Sequence, residues 1–362
     1  MKKFLNTVLL LINAIVAGGL ALSYISGSVN PQKVWILPFF GLAFFAFVVL
    51  NVAFVVFWLL RHRWYFLISA VMLACGCGLF KTIIRPSRSA SIQGEKKLRL
   101  LSYNVNLFGL KYRPSSQIIF NEVADYIAHE ELDVACLQEF FVFDEGRYNE
   151  AAINKALTNL PNRYIHYNVV KGNQKFGIAT YSKHPIVSQG YITFANTTNA
   201  AIFTDIAQGS DTVRVYNVHL QSVRFGDYEK ELLQGAASQN ASPKFLRRAS
   251  FKLKDAFIKR AKQVDAVVEH IKQSRYPVIV CGDFNDTPLS YSYRTMRQIP
   301  LNDGFTDAGR GIMSTYISAI PSFRIDYILY SPKFYATAYY CPNLKYSDHY
   351  PLVCRLINRE VP

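Results

Sequence analysis

The chain opens with three long apolar runs, about Phe4–Ile25, Val34–Leu60 and Trp64–Ile84, and changes character after them. Polar residues inside the runs are isolated, and no charge falls between Lys33 and Arg61. About 20 consecutive apolar residues cross the hydrocarbon of a bilayer as a helix. The pattern therefore predicts three transmembrane helices, with the second and third joined as a hairpin at Arg61-His62-Arg63. Lys2 and Lys3 give the first run the look of a cleavable signal segment, but two further spans behind it favour an uncleaved helix.

From Leu98 the apolar positions follow short periods instead. Alternating or wholly apolar stretches predict strands at Leu98–Val105, Asp133–Leu137, Tyr164–Val170, Gly177–Ser182, Ile186–Phe194, Ala201–Ala207, Val213–His219, Val278–Cys281, Ile325–Tyr330 and Leu352–Leu356. Helical spacing appears over Pro114–Glu130, where Ile118, Ile119, Val123 and Ile127 share a face. It recurs around Asn149–Leu160, and strongly from Phe251 to Ile271. Arg224–Ala249 reads as a loop. Many strands with helices between them predict an α/β domain, and the hairpin-like middle favours mixed sheets. The organisation expected is an anchor at 1–84, a linker at 85–97 rich in Ser and bearing Pro86, and one globular domain at 98–362.

Charge sharpens this division. Residues 1–94 hold eight Lys/Arg and no acid, while the rest holds 32 Lys/Arg against 25 Asp/Glu. The first is a membrane composition and the second that of a mildly basic globular domain. With the N-terminus inside, Lys2, Lys3, Arg61 and Arg63 are cytoplasmic and Lys33 is outside, which predicts a multi-pass protein of the cell membrane with an extracytoplasmic globular domain. Lys81, Arg85, Arg88, Lys96 and Lys97 oppose that orientation, but long domains translocate largely regardless of such charges. The six cysteines show no zinc-ligand spacing or disulfide framework, and most of them read as small buried hydrophobes.

The candidate chemistry sits at predicted strand ends. Asn104 and Asn106, Glu139, Asn217 and His219, Asp283 and Asn285, Asp326, and Asp348 and His349 all lie there. Gly282-Asp283-Phe284-Asn285 alone reads equally as an Asx-turn closing a strand or as a catalytic edge. If the ends converge, the oxygen-rich donor set favours Mg2+ or Mn2+ (or Ca2+) over zinc.

The motifs Leu101-Ser-Tyr-Asn-Val-Asn106, Asp133-Val-Ala-Cys-Leu-Gln-Glu139, Tyr216-Asn-Val-His-Leu220, Gly282-Asp-Phe-Asn285, Arg324-Ile-Asp326 and Ser347-Asp-His349 together resemble the endonuclease/exonuclease/phosphatase family. The resemblance implies a DNase I-like four-layer sandwich, two mixed β-sheets flanked by helices, here preceded by three transmembrane helices. It implies Mg2+ (or Mn2+) held by Glu139 and Asn104, with Asn106 and Asp348 near the metal. Asp283 would activate water and Asn285 would hold the phosphate or nucleophile. His349, oriented by Asp326, would contact phosphoryl oxygens, joined by His219 and Asn217. Arg324 reads as a surface ion-pair partner of Asp326, and Lys175 and His184 as surface or packing residues. The Asn104-x-Asn106 and Asn217-x-His219 forms look more like the phosphatase and sphingomyelinase branches than the abasic-site endonucleases. The three spans resemble membrane-bound members such as the vancomycin-resistance J-type proteins. The expected activity is a membrane-anchored phosphoesterase acting on a phosphorylated, lipid-linked substrate, with a tethered nuclease as the alternative. A cationic cluster from Arg224 to Lys262 suits anionic lipid, nucleic acid or a plainly solvated helix face.

Overall fold

The computed structural model describes residues 2–86, 97–112, 116–146, 148–223, 243–317 and 324–358. Most of the expected linker, and Arg224 with most of its loop, lie outside these residues. The apolar runs become a helical bundle. Lys2–Ile25 is continuous, the second run forms Leu37–Leu42 and Phe44–Leu60, and the third forms Phe66–Cys75 and Cys77–Phe80. Only the first of these helices is by itself long and apolar enough to cross a membrane. The expectation of three transmembrane helices is corrected accordingly: one candidate span is present among the described residues, and the other two runs form shorter helices. The second run bends at Ala43, beside Gly41, and the third bends at Gly76. A Cβ on Gly41 would meet Ser26 at 2.6 Å and one on Gly76 would meet the Tyr24 phenol at 2.4 Å. Glycine there lets the later helices press on the first, at the cost of helical preference.

The bundle buries a few polar side chains among apolar ones such as Leu20 and Phe44, and its exterior is apolar. Asn13 donates to Ser69 at 2.6 Å and accepts from the Trp58 indole at 2.9 Å, and all three are fully buried. Buried Asn51 donates to the Phe47 carbonyl at 2.8 Å. Phe4, Ile15, Val49, Leu60 and Val71 are mostly exposed. Contacts of Asn13 with Trp58 and of Val16 with Asn51 show the first two runs to be antiparallel, so Lys2 and Lys3 share an end with Arg61 and Arg63. The opposite end meets the globular domain. There Asn30 donates to Asp265 and Tyr291, each at 3.1 Å, and Ser26 donates to the Leu289 carbonyl at 3.2 Å. Strand β1 (Ile84–Arg85) pairs antiparallel with β11 (Gly311–Ile312).

Two six-stranded sheets form the globular domain. One contains β2 (Lys97–Asn104), β3 (Val134–Phe143), β4 (Asn162–Lys171), β5 (Gln174–Ser182), β13 (Phe334–Tyr340) and β14 (Leu352–Asn358), in the order β13-β14-β2-β3-β5-β4. The other contains β6 (Ile186–Ile192), β7 (Ala200–Gln208), β8 (Asp211–His219), β9 (Val278–Asp283), β10 (Asn302–Asp303) and β12 (Asp326–Tyr330), in the order β10-β12-β9-β8-β7-β6. Both are mixed, with β2–β3 and β8–β9 parallel and the other pairs antiparallel.

Period-two alternation explains the layers. Leu98, Leu100, Val134 and Cys136 face Val213, Val215, Ile279, Cys281 and Ile328 between the sheets. Their neighbours Leu101, Tyr103, Ala135 and Leu137 pack outward under the Ser116–His129 helix. On the far side Val264, Val267 and Ile271 of the Pro243–Lys272 helix cover Tyr216, Val218 and Val280. Helix, sheet, sheet, helix is the expected four-layer sandwich. Each fully buried Leu, Ile or Val contributes about 1.5–3 kcal/mol. Cys136, Cys281 and Cys354 are buried free thiols in this core, as their reading as small hydrophobes requires. The helix expected from Phe251 begins earlier, at Pro243, whose fixed φ suits a first helical position.

Candidate active site

The topology brings one end of five strands and the bulge of a sixth together. The strands β2, β8 and β9 end there, β3 passes there at its bulge, and β12 and β14, antiparallel to their neighbours, begin there. Across the second sheet His219, Asp283 and Asp326 occupy one register row. All three continue the inward face, so they form the polar end of the inter-sheet core. Asn104 closes β2 opposite them and donates to Asp283 Oδ2 at 3.0 Å.

Asp283 is the hub. It accepts from Asn104 and from the Asn285 amide at Oδ2, each at 3.0 Å, and from the Asn285 backbone N–H at Oδ1, at 2.8 Å. His349 Nε2 lies 3.7 Å away and His219 Nε2 3.8 Å away. His349 Nδ1 meets Asp326 Oδ2 at 3.0 Å. Burial pushes the Asp283 carboxyl up to about 6, with Asp326 adding to the rise and the two imidazoles and Asn104 opposing it. Burial alone would lower His349, but Asp326 and Asp283 outweigh it and raise the imidazole to about 10. The pair is thus a carboxylate able to take a proton near neutrality beside a cation able to stabilise negative charge.

Glu139 reaches the site by a departure from strand geometry. Its φ is +50°, within a register break between Leu137 and Phe140 on β3. A bulge of this kind re-aims a side chain. Its carboxylate lies 3.9 Å from His219 Nε2, on the same side as Asp283. Asn106 and Asn285 also have positive φ, at +44° and +52°. Strained backbone held at a site is a reason to expect function there.

The remaining expected residues are placed differently. Asn217 lies two register pairs below His219 and is fully buried. Its amide donates to the Ala179 carbonyl at 2.8 Å, and its oxygen accepts from Gln138 at 2.7 Å. It forms the floor joining the two sheets rather than a donor facing substrate. The Asn106 N–H caps the Asn104 side chain at 3.0 Å, and Asp348 is half-buried beside Ser347. Arg324 is not on the surface and does not pair with Asp326. It is buried, donates through both terminal nitrogens to Asp303 at 3.1 and 2.8 Å, and reaches the Thr82 carbonyl at 3.0 Å. Lys175 and His184 pair with Asp144 and Asp133 away from this cluster, as expected.

Three supporting residues escape a reading of the sequence for charge. Ser347 donates to the Asn104 carbonyl at 2.7 Å and accepts from the His349 N–H at 3.1 Å, tying two motifs together. The Thr315 hydroxyl accepts from the backbone N–H of Ile325 and Asp326. Gln138 braces Asn217. Ser347, inside the Ser-Asp-His motif, and Gln138, beside Glu139 in its motif, carry a sequence signal; Thr315 carries none.

The donor set fits a hard divalent cation. Among the described residues, ligand atoms of Asp283, Asp326 and His349 all lie within 4.8 Å of one another, a group other than the Glu139 and Asn104 expected from the motifs, and buried Asp326 Oδ1 has no hydrogen-bond partner. Oxygen-rich clusters of this kind suit Mg2+ or Mn2+ rather than a thiolate-seeking metal.

Comparison with known proteins agrees with this geometry. The profile of the endonuclease/exonuclease/phosphatase family matches residues 101–349, and a domain of unknown function matches residues 5–83. No curated protein matches by sequence. Among solved structures, an endonuclease/exonuclease/phosphatase from Beutenbergia cavernae superposes with a TM-score of 0.55 at 17% identity, over 73% of this chain and 72% of the other. One from Bacteroides vulgatus gives 0.52 at 16% identity, over 73% and 100%. D. rerio TDP2 complexed with single strand DNA product gives 0.50 at 16% identity, over 72% and 99%. With its six motifs gathered at one end of a DNase I-like sandwich, the chain belongs to the endonuclease/exonuclease/phosphatase family and is a metal-dependent hydrolase of phosphoric ester bonds.

Proposed function

We propose that this enzyme works at a membrane surface, embedded through residues 2–83, and hydrolyses a phosphate ester or pyrophosphate linked to a lipid. The observation that carries the reading is the bundle's apolar exterior around a few buried polar groups, together with where it docks. Buried Asn13, Asn51 and Ser69 inside an apolar exterior suit hydrocarbon and not water. Trp64, beside Arg63, and Trp35, beside Val34, are both exposed at opposite ends of the second run, as interfacial tryptophans are. The bent second run still spans 24 residues from Leu37 to Leu60, about 36 Å of helix. Three passes place the domain opposite Lys2, Lys3, Arg61 and Arg63, and the positive-inside pattern then puts it outside the cytoplasm.

The bundle also contacts the elements that hold the site. Ser26 bonds Leu289, four residues beyond Asn285, and Thr82 bonds Arg324, two residues before Asp326. The reacting phosphate would therefore sit near the level of the lipid headgroups. Tethering makes a substrate in the same bilayer effectively concentrated.

Within the site, Asp283 takes the proton of the attacking water and Asn285 holds that water or a phosphoryl oxygen. His349 donates from Nε2 to the phosphoryl oxygens as charge builds, with its ring held and its charge favoured by Asp326 at Nδ1. His219 adds a second donor. Glu139 and Asn104, with Asn106 and Asp348 adjoining, would hold Mg2+ or Mn2+, which when bound neutralises phosphate charge and favours the leaving oxygen.

A nuclease reading draws on the likeness to the DNA-product complex of D. rerio TDP2 and on the basic surface. Purified full-length protein, with Mg2+ or EDTA, assayed on polyprenyl pyrophosphate, sphingomyelin, inositol phosphates and plasmid DNA separates the two. Metal-dependent phosphate release from lipid substrates supports the proposal. DNA nicking that Asp283→Ala abolishes, with lipids untouched, replaces it with the nuclease.

A further inference from the structure

The Pro243–Lys272 helix does two different jobs along its length. Its second half packs on the sheet through Val264, Val267, Val268 and Ile271. Its first twelve residues, 243–254, carry five cations and no acid, and Asp255 is the first carboxylate. A purely solvated face would not display large apolar groups among those cations. Yet Leu246 and Phe251 are 55% and 56% exposed.

This stretch is attached to the start of the second apolar run. The Lys254 ammonium lies 4.4 Å from the Trp35 ring centre, and Phe257 meets Phe39 edge-on at 5.3 Å. One turn before Lys254, Phe251 lies 5.7 Å under the Arg247 guanidinium. Positions 247, 251 and 254 follow helical i, i+4, i+7 spacing, so cation and aromatic alternate along one face that leads to Trp35. On the membrane reading of residues 2–83, that face begins where the apolar bundle ends, at the level of the headgroups.

We propose that residues 243–254 form an interfacial helix that binds anionic phospholipid, with Leu246 and Phe251 entering the acyl boundary and the cations holding lipid phosphates. The inference rests on the membrane reading of residues 2–83. It assigns to the catalytic domain its own lipid contact, independent of the anchor. Charge complementarity and continuity with the bundle both favour a bilayer as the occupant. A nucleic acid would use the cations but leave Leu246 and Phe251 without a role.

The test uses the full chain in nanodiscs of phosphatidylcholine alone or with added phosphatidylglycerol, followed by hydrogen exchange of peptides covering 243–258. Anionic lipid is expected to slow exchange there about tenfold or more, and high salt or the double variant Lys244→Glu/Arg247→Glu to reverse it. Peptides of β9 should exchange alike throughout, which shows that the variant is folded. Equal exchange in both nanodiscs, unaffected by the variant, overturns the inference while leaving the anchor intact. Protection on adding a single-stranded oligonucleotide but not anionic lipid overturns it in favour of a nucleic-acid face. A chain that stays in solution without detergent and does not enter nanodiscs overturns the membrane reading and the inference with it.

Discussion

Replacing Gly282 with alanine should damage both stability and catalysis, and the structure says why. Gly282 stands between Val218 on β8 and Tyr327 on β12, one residue before Asp283. Its φ is +152°, and a Cβ there would lie 1.9 Å from the Val218 carbonyl oxygen. A carbon–oxygen contact needs roughly 3.3 Å, so the strands would have to part by roughly 1.4 Å. Backbone strain in Ala costs about 1–2 kcal/mol. Forcing extra volume into a packed site costs about 1–3 kcal/mol, and one weakened ladder hydrogen bond about 1 kcal/mol. The total is about 3–6 kcal/mol, a large share of a typical domain stability of about 5–15 kcal/mol. At about 2–4 °C per kcal/mol for a domain of this size, Tm should fall by about 6–24 °C. Separation of His219 from Asp283 by about 1 Å should lower kcat/KM about 100-fold. The assay is thermal unfolding in detergent beside hydrolysis of a soluble phosphodiester. Gly172→Ala is the control, because its φ is +58° but nothing lies within 4 Å of the added Cβ. If Gly282→Ala matches that control in both Tm and kcat/KM, the reasoning from close strand approach is wrong.

Other perturbations test separate parts of the account. Asp303→Asn should destabilise by about 3–5 kcal/mol because it strands the buried Arg324 charge, whereas Asp303→Leu/Arg324→Met together should cost less; Tm in detergent measures both. Asp283→Asn should lower kcat about 1000-fold or more at near-wild-type Tm, while Asn217→Ala should mainly lower Tm, since it leaves buried Gln138 and Ala179 groups unpaired. In metal-free protein the raised His349 imidazole, at about 10, favours the folded state fully below its ordinary value near 6.5. That contribution is lost as pH rises through about 10, and Asp283, raised to about 6, acts in the same direction at lower pH. Unfolding midpoints with EDTA should therefore fall from pH 6 to pH 10, and less steeply in His349→Gln.

Much of the molecule is legible in its sequence because its local signals agree. The strands β2, β8, β9 and β14 show period-two patterns ending in polar pairs, so the site residues could be named before their neighbours were known. What the sequence could not show depends on partners far along the chain. Asn217 and His219 share a strand face, but only the opposite sheet decides that Asn217 is floor and His219 is site. Arg324 was read as a surface residue because its partner Asp303 is distant in sequence and lies on a two-residue strand. Glu139 was identified by its motif, yet the bulge that turns it inward is a backbone event with no compositional mark. The bends at Ala43 and Gly76 arise from pressure against the first helix, which hydropathy along one run does not register.

The central claim is catalysis at a bilayer surface, and surface-dilution kinetics tests it most directly. Full-length protein in mixed micelles is given a polyprenyl pyrophosphate at constant bulk concentration while neutral detergent lowers its surface mole fraction. The account predicts Mg2+-dependent phosphate release that falls in proportion to the surface mole fraction and disappears in Asp283→Asn. A rate set by bulk concentration alone, or no lipid turnover from an enzyme that cleaves soluble esters or DNA, would contradict it.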